Sequence, residues 1–257
     1  MGVGPFRPYT PLMRAIGCCT YPTSIPYRRR IEHDAHDFIQ AVKGRPMNGY
    51  TGVPVRGVRR VIINNHLDRA LEILAVLTYD IAVPPLPLYS PILVPVPNAP
   101  NTLTSGPPRT YTQAQFIARQ LAAGAEAIDL FRWHEARPSA NSAGGTRDPG
   151  ELFEALVVRP EARSQLQARR PYVLIDDVLT SGGHLQAVDA ALENLVGRRA
   201  AIALVAAVSD DEHVEDPFAV RIREIEDFVP RHRRDDWWES EQGSGVRDRG
   251  SGISDES

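Results

Sequence analysis

The sequence predicts an α/β protein in which a mostly parallel, twisted sheet is flanked by helices, and three observations support this class. Short apolar runs typical of buried strands alternate along the chain with amphipathic helical segments. The run YVLI is followed by a helical segment and then by RAAIALVAAVS, which is the strand–helix–strand order that joins parallel neighbours. A hydrophobic content of 42% in 257 residues is sufficient for a substantial core.

The composition excludes several classes of function. A net charge of −3 gives no general attraction to nucleic acid or to an anionic membrane, so neither partner is indicated. No apolar run approaches the roughly 20 residues that span a bilayer. The two cysteines, Cys18 and Cys19, are adjacent and lack zinc-ligand spacing, so we expect a reducing compartment and a cytoplasmic protein. The first residues also lack the pattern of a secretory signal.

The chain is predicted to have three parts. Residues 1–57 are rich in Pro, Gly, Tyr and Arg and form an irregular extension with one helix over 31–44, and we expect a hood or a partner-binding region there. Residues 58–229 carry the alternating α/β pattern. Residues 230–257 are charged and rich in Gly and Ser, so we expect a disordered tail.

Hydrophobic periodicity places the elements of the α/β part in order. Thr112 is the expected N-cap of the second helix in this part. The loops NAPNTLTSGPP and 136–150 are long, and we expect them to be exposed and mobile. Strands are predicted at 58–65, 90–98, 125–133, 172–175, 199–209 and 220–228, the last at an edge, and helices at 66–82, 110–124 and 184–195.

The stretch YVLIDDVLTSGGH carries the chemistry of the predicted site. Asp176 and Asp177 follow the buried strand 172–175, at the carboxyl end where open α/β sheets bind ligands. Each carboxylate there must keep water, a hydrogen-bond donor or a cation. The stretch therefore predicts acids for hydroxyls or a metal beside an anion-binding loop, a combination that suits a sugar phosphate.

The loop that follows the acids is small and flexible. Thr180 and Ser181 offer hydroxyls, and Gly182 and Gly183 let backbone N–H groups approach an anion at the start of a helix. We expect a bulky residue at Gly183 to block a phosphate at little cost in stability, because this helix start is predicted to be exposed. The alternative is an ordinary solvated strand end before a helix, and an acid pair without the adjoining loop would favour that alternative.

These residues resemble a known family. VLIDDVLTSGGH is similar to the phosphoribosyl-diphosphate (PRPP) motif of type I phosphoribosyltransferases, and the wider pattern resembles the ComF-like branch. The branch pattern is carried by LVPVP at 93–97, by RTYTQ at 109–113 with Arg109 and Gln113, and by RDPGELFEALVV at 147–158. The resemblance covers roughly residues 90–210.

The resemblance implies a role for each site residue. Asp176 and Asp177 would bind the ribose hydroxyls or Mg²⁺ and stabilise positive charge on the sugar, and Arg109 would reach the diphosphate as a further catalytic residue. The backbone from Thr180 to His184, with the Thr180 and Ser181 hydroxyls, would hold the 5′-phosphate. An exposed arginine is the alternative for Arg109, and Gln113 is expected to be structural.

The sequence also departs from the family pattern. His184 stands where the family usually has a threonine, the loop after Pro97 lacks the usual basic residues, and the N-terminal cysteine pairs of the branch are missing. For His184, a donor to the phosphate and a plain residue of the first helical turn are both consistent with the sequence.

Two functions follow from the resemblance. The first is an enzyme that transfers phosphoribosyl from PRPP to a nitrogenous acceptor and releases diphosphate. The alternative is an inactive PRPP or nucleotide sensor, or an accessory protein that acts through protein partners; a homo-oligomer is also left open. A P-loop NTPase is excluded because the chain's single lysine, Lys43, lies in VKGRP rather than in a Walker A motif.

Overall fold

The computed structural model describes residues 13–23, 28–47, 49–66, 68–82, 90–121, 124–138, 145–166 and 169–234. The predicted tail lies outside these residues from position 235 onward, and so do residues 139–144 of the second long loop. None of the described helices is long and apolar enough to cross a membrane.

A six-stranded sheet forms the centre of the fold, with the spatial order β10-β1-β9-β8-β4-β5. Every neighbouring pair is parallel except β1 and β10, which pair antiparallel at one edge. This arrangement confirms the predicted α/β class with a mostly parallel sheet. The strands are β1 (Met13–Pro22), β4 (Ile92–Pro95), β5 (Glu126–Ala127), β8 (Tyr172–Leu179), β9 (Ile202–Asp210) and β10 (Arg221–Ile225).

Helices cover both faces of this sheet, and β8 shows how they divide it. Tyr172 and Leu174 belong to the apolar cluster that includes α5, whereas Val173 and Ile175 belong to the cluster that includes α3. The strand is therefore buried on both faces, as its apolar run predicts. The helices are α1 (Arg30–Val42), α2 (Asp68–Ala82), α3 (Arg109–Leu121), α4 (Pro149–Ala155) and α5 (Gly183–Val196).

Two small sheets lie apart from the central one. β2 (Tyr50–Val55) and β3 (Val58–Ile63) form a hairpin, and β6 (Phe131–Trp133) pairs with β7 (Leu156–Val158). The predicted strand at 58–65 is therefore present, but it pairs within the hairpin. The predicted strand at 125–133 was wrong as a single element, because it divides into β5 and β6 in different sheets.

The N-terminal segment contributes to the central sheet. β1 lies between β9 and β10, although residues 13–22 fall within the stretch predicted as an irregular extension. Its run AIGCC is buried on both faces, so it lacks the alternation that identifies a half-exposed strand. The helix predicted at 31–44 is present as α1 and is held beside the hairpin, because buried Asp34 accepts hydrogen bonds from Thr51, Gly52 and Arg59.

α3 begins earlier than predicted. It starts at Arg109, directly after Pro107 and Pro108, and not after an N-cap at Thr112. Thr110 Oγ1 donates to the Val96 carbonyl at 2.6 Å and ties this helix start to the end of β4. This contact is a tertiary one, which a local capping pattern does not contain.

Candidate functional site

The acid pair lies inside β8 rather than after it. β8 continues four residues beyond the predicted end at Ile175, because Val178 and Leu179 still pair with β9. Ala206 of β9 is left out of the pairing with both neighbouring strands. It lies opposite Asp177 of β8 and Cys18 of β1. This interruption breaks the alternation of the strand near the acids, since Val178 joins the cluster around α1 and α2 while adjacent Leu179 packs with α5.

Asp176 and Asp177 are half-buried and share one polar environment. The backbone N–H of Asp177 donates to Asp176 Oδ1 at 2.8 Å. Burial and, after it, the negative charge of Asp177 raise the pKa of Asp176 to about 8. Two adjacent, partly buried carboxylates disfavour each other's charge, and a bound cation or hydroxyl donor relieves that situation.

The raised pKa predicts a pH dependence of stability. The folded protein holds the Asp176 proton more tightly than the unfolded chain does, so unfolding releases it and the free energy of unfolding falls as pH rises toward about 8. The lowered pKa of His184 has the opposite effect, but only between about 4 and 6.5. Between pH 6.5 and 8 we therefore expect ligand-free protein to lose stability, measured by urea unfolding at fixed ionic strength.

The matched control for this prediction is Asp176→Asn. The variant should show a nearly flat stability profile over the same pH window, because the titrating group is gone. A wild-type profile that is flat, or one whose slope survives the substitution, would contradict the assignment of the slope to Asp176.

Lys43 is the cation that the structure brings to the acid pair. It caps the C-terminus of α1, and its Nζ lies 3.8 Å from Asp177 Oδ1. No role for Lys43 was predicted, because it stands in the predicted extension, far along the chain from the motif. The one available signal was that the chain contains a single lysine. That signal does not indicate where in the fold the lysine lies.

The loop after β8 enters α5 through a glycine in a left-handed conformation. Gly182 adopts φ 91°, in the left-handed region, as the N-cap of α5. Ser181 is exposed, and the Thr180 carbonyl accepts from Arg223 Nη1 at 2.6 Å. The first N–H groups of an α-helix have no acceptor within the helix, so those at the start of α5 are the candidates for binding an anion.

Gly183 corrects one expectation. It is buried, and a Cβ at this position would lie 3.0 Å from the carbonyl carbon of Arg147 and still closer to its oxygen. A substitution here must displace backbone, so the expected small cost in stability was wrong. Gly183 is required for close packing as well as for any approach to a phosphate.

A cleft of about 660 Å³ opens beside this loop, at the carboxyl ends of β1, β8 and β9. Arginines and acids both face it, so the cleft offers charges of either sign to a ligand next to the loop. It is lined by Thr23, Arg147, Thr180, Ser181, Ser209, Asp210, Asp211, Glu212 and Arg223.

His184 lies at the start of α5, next to two arginines. Its ring meets Trp133 edge-on with the centroids 5.8 Å apart. Burial and, after it, the charges of Arg137 and Arg147 lower the pKa of His184 to about 4, so the imidazole is neutral at pH 7 and has one N–H to donate. Positive charge at this helix start therefore comes from the two arginines, for which no individual role was predicted.

Arg109 makes structural contacts on the face of the sheet opposite to α5. Its Nε donates to the Val42 carbonyl at 3.0 Å, and Nη1 lies 3.8 Å from Asp68 Oδ1. Gln113 Nε2 is 3.5 Å from the same carbonyl, which agrees with its expected structural role. Arg109 is thus placed at the end of α1, next to Lys43, and its role toward a diphosphate stays a prediction.

The acids could hold a magnesium ion only together with ligand oxygens. Among the described residues, no group of three or more His, Cys, Asp or Glu side chains is arranged to bind a metal. Mg²⁺ is commonly held by one or two carboxylates with the remaining positions filled by water and substrate phosphates. The acid pair fits that kind of site.

Two solved structures are similar to this chain. The sequence matches no protein-family model and no curated protein. An APRTase from Giardia lamblia complexed with 9-deazaadenine is similar at 16% identity, covering 64% of this chain and 94% of that chain, with a TM-score of 0.33. The adenine phosphoribosyl transferase from Trypanosoma brucei, in complex with AMP, pyrophosphate and ribose-5-phosphate, is similar at 16% identity. The match covers 77% of this chain and 88% of that chain, with a TM-score of 0.34. Similarity at these TM-scores does not establish a shared fold.

Proposed function

We propose that this chain binds PRPP or a nucleoside 5′-monophosphate, and that it transfers phosphoribosyl to a nitrogenous acceptor with release of diphosphate. One observation carries the proposal: the acid pair and the glycine-containing loop follow one another at the carboxyl edge of a parallel sheet, and Thr180 and Ser181 of the loop line an open cleft. That edge is where open α/β sheets bind their ligands. The motif supplies groups for both the sugar and the phosphate.

The residues divide the ligand between them. The carboxylates of Asp176 and Asp177 would accept hydrogen bonds from the ribose hydroxyls. Backbone N–H groups at the start of α5, with the hydroxyls of Thr180 and Ser181, would hold the 5′-phosphate. In the reaction an acceptor nitrogen forms a bond to C1 as the bond from C1 to the diphosphate oxygen breaks. Once ionised in the complex, the acid pair would stabilise the positive charge that develops on the sugar ring.

Magnesium belongs to this proposal as a companion of the diphosphate. Asp176 and Asp177 would hold it together with diphosphate oxygens, and the ion would supply neutralisation of the leaving group's charge. The raised pKa of Asp176 adds a consequence, because ligand binding with magnesium should favour the ionised acid and release a proton near neutral pH.

The test is a calorimetric titration of the folded protein with PRPP and with AMP, each with and without magnesium. We expect binding of both ligands, with PRPP binding strengthened by the metal. Diphosphate release is then measured with a panel of nucleobases. Absence of binding at millimolar ligand would overturn the proposal, and binding without turnover on any base would leave the non-enzymatic alternative.

One observation favours that alternative, a PRPP or nucleotide sensor or accessory protein. The loop after Pro97 contains no basic residue, and its polar groups bond to one another or to Trp133. Thr102 N–H donates to Ser105 Oγ at 3.1 Å, and Ser105 Oγ donates to the Pro100 carbonyl at 3.1 Å. The Asn98 carbonyl accepts from Trp133 Nε1 at 3.0 Å. A loop held in this way offers no cation to a leaving diphosphate.

A further inference from the structure

The ammonium group of Lys43 has an ionic partner, Asp177, but its hydrogen-bond donors are unused among the described residues. Its Nζ lies 3.8 Å from Asp177 Oδ1, at ion-pair distance but beyond a hydrogen bond, and 5.4 Å from the centre of the Tyr21 ring. The side chain is 18% exposed. An ammonium carries three donors, and within the described part of the chain none of them is used in a hydrogen bond. Those donors are available to a ligand at the acid pair.

The backbone that carries Lys43 is fixed by the start of α3. Arg109 Nε and Gln113 Nε2 both approach the carbonyl of Val42, the last residue of α1. Gly44 turns at φ 71°, and a Cβ there would meet the Arg109 guanidinium at 3.5 Å. The start of α3 therefore holds the end of α1 in place, and with it the attachment point of the lysine.

Tyr21, on which the lysine side chain rests, is also held. Its hydroxyl accepts from Gln40 Nε2 at 2.8 Å, and its ring stacks on His36 with centroids 5.3 Å apart and an interplanar angle of 11°. A flexible lysine normally loses considerable side-chain entropy when it binds a ligand. Here the aromatic ring and the carboxylate already restrict it, so less remains to be lost.

We propose that Lys43 contacts the diphosphate group of the ligand, and that Arg109 acts through Lys43 as a positioning residue. This rests on the proposed function. In the proposed complex the 5′-phosphate lies in the loop from Thr180 to His184, and the ribose hydroxyls lie on the acid pair. The substituent at C1 of the ribose then points away from the loop. Among the described residues, Lys43 is the one basic side chain paired with either acid. A compact, strongly hydrated ammonium suits phosphate oxygens next to a carboxylate-bound cation.

The decisive measurement compares three ligands on the full-length protein: PRPP, inorganic diphosphate and ribose 5-phosphate, each with magnesium. In Lys43→Met we expect the affinities for PRPP and diphosphate to fall about tenfold or more, because a charge-assisted hydrogen bond is lost. The affinity for ribose 5-phosphate should stay unchanged. Lys43→Arg should recover part of the loss, and Arg119→Met, an exposed change of equal charge on α3, should have no effect.

The outcomes separate this proposal from the function on which it rests. If wild type binds PRPP and ribose 5-phosphate but Lys43→Met binds PRPP equally well, the role of Lys43 is overturned and the proposed function stands. Equal weakening of PRPP and ribose 5-phosphate would show a purely structural ion pair. If wild type binds none of the three ligands, both proposals fail.

The single lysine allows a second readout that a structural role would not move. Acetic anhydride modifies lysine and the α-amino group, and peptide mass spectrometry reports Lys43 alone. Magnesium diphosphate should remove most of its reactivity, whereas ribose 5-phosphate should not. In Arg109→Gln that protection should be lost while ribose 5-phosphate still binds. Full protection in this variant would contradict the positioning role.

Discussion

Asp176→Asn combined with Asp177→Asn should reduce the affinity for PRPP about 100-fold or more while the protein remains folded. Hydrogen bonds to charged groups contribute about 1.5–3 kcal/mol each, so losing two corresponds to at least two orders of magnitude. The fold should tolerate the change, because burial and the neighbouring carboxylate both disfavour the charge of Asp176. Calorimetry gives the affinity, and urea unfolding gives the stability.

The control removes the same charge from exposed positions. Asp80 pairs with Arg56 and Glu72 pairs with Arg69, both at the surface of α2. Asp80→Asn with Glu72→Gln should leave the affinity for PRPP within about twofold, since surface ion pairs contribute little. A double Asp176/Asp177 variant that binds as tightly as wild type would assign the acids to structure alone.

Gly183→Val should unfold the protein or destabilise it by about 3 kcal/mol, the upper part of the usual range for overpacking. A Cβ at this position would collide with the Arg147 backbone, which cannot move aside as the end of a flexible side chain could. The shift in the urea midpoint, or the loss of a cooperative transition, measures the effect without any ligand.

Gly106→Val is the matched comparison for this prediction. Nothing lies within 4 Å of a Cβ at that glycine, so the same substitution should change stability by no more than about 0.5 kcal/mol. If Gly183→Val were as stable as Gly106→Val, the close contact between the start of α5 and Arg147 would be wrong. Loss of phosphate binding by a variant that is itself unstable would not identify the phosphate loop, so Ser181, which is exposed, is the better place to probe the ligand.

The local pattern was sufficient to predict the elements whose signals are contained within a few residues. The apolar run before the acids indicated β8, and amphipathic spacing indicated α1, α2 and α5. The order of strand and helix indicated a parallel sheet, which places the ends of β8 and β9 at one edge. For that reason the amino-acid sequence by itself was enough to predict that the acid pair and the glycine-containing loop lie together at that edge.

The tertiary structure alone decided which distant segments meet at that edge. Burial on both faces removed the periodicity of β1, and only pairing with β9 and β10 shows that it belongs to the sheet. Lys43 meets Asp177 because hydrogen bonds fix α1 against the hairpin and α3, and such contacts leave no trace in local sequence. Arg109 is a second example. The motif led us to expect this arginine near a diphosphate, but its Nε donates to the carbonyl of Val42 at the end of α1. The position of that helix end is set by long-range packing.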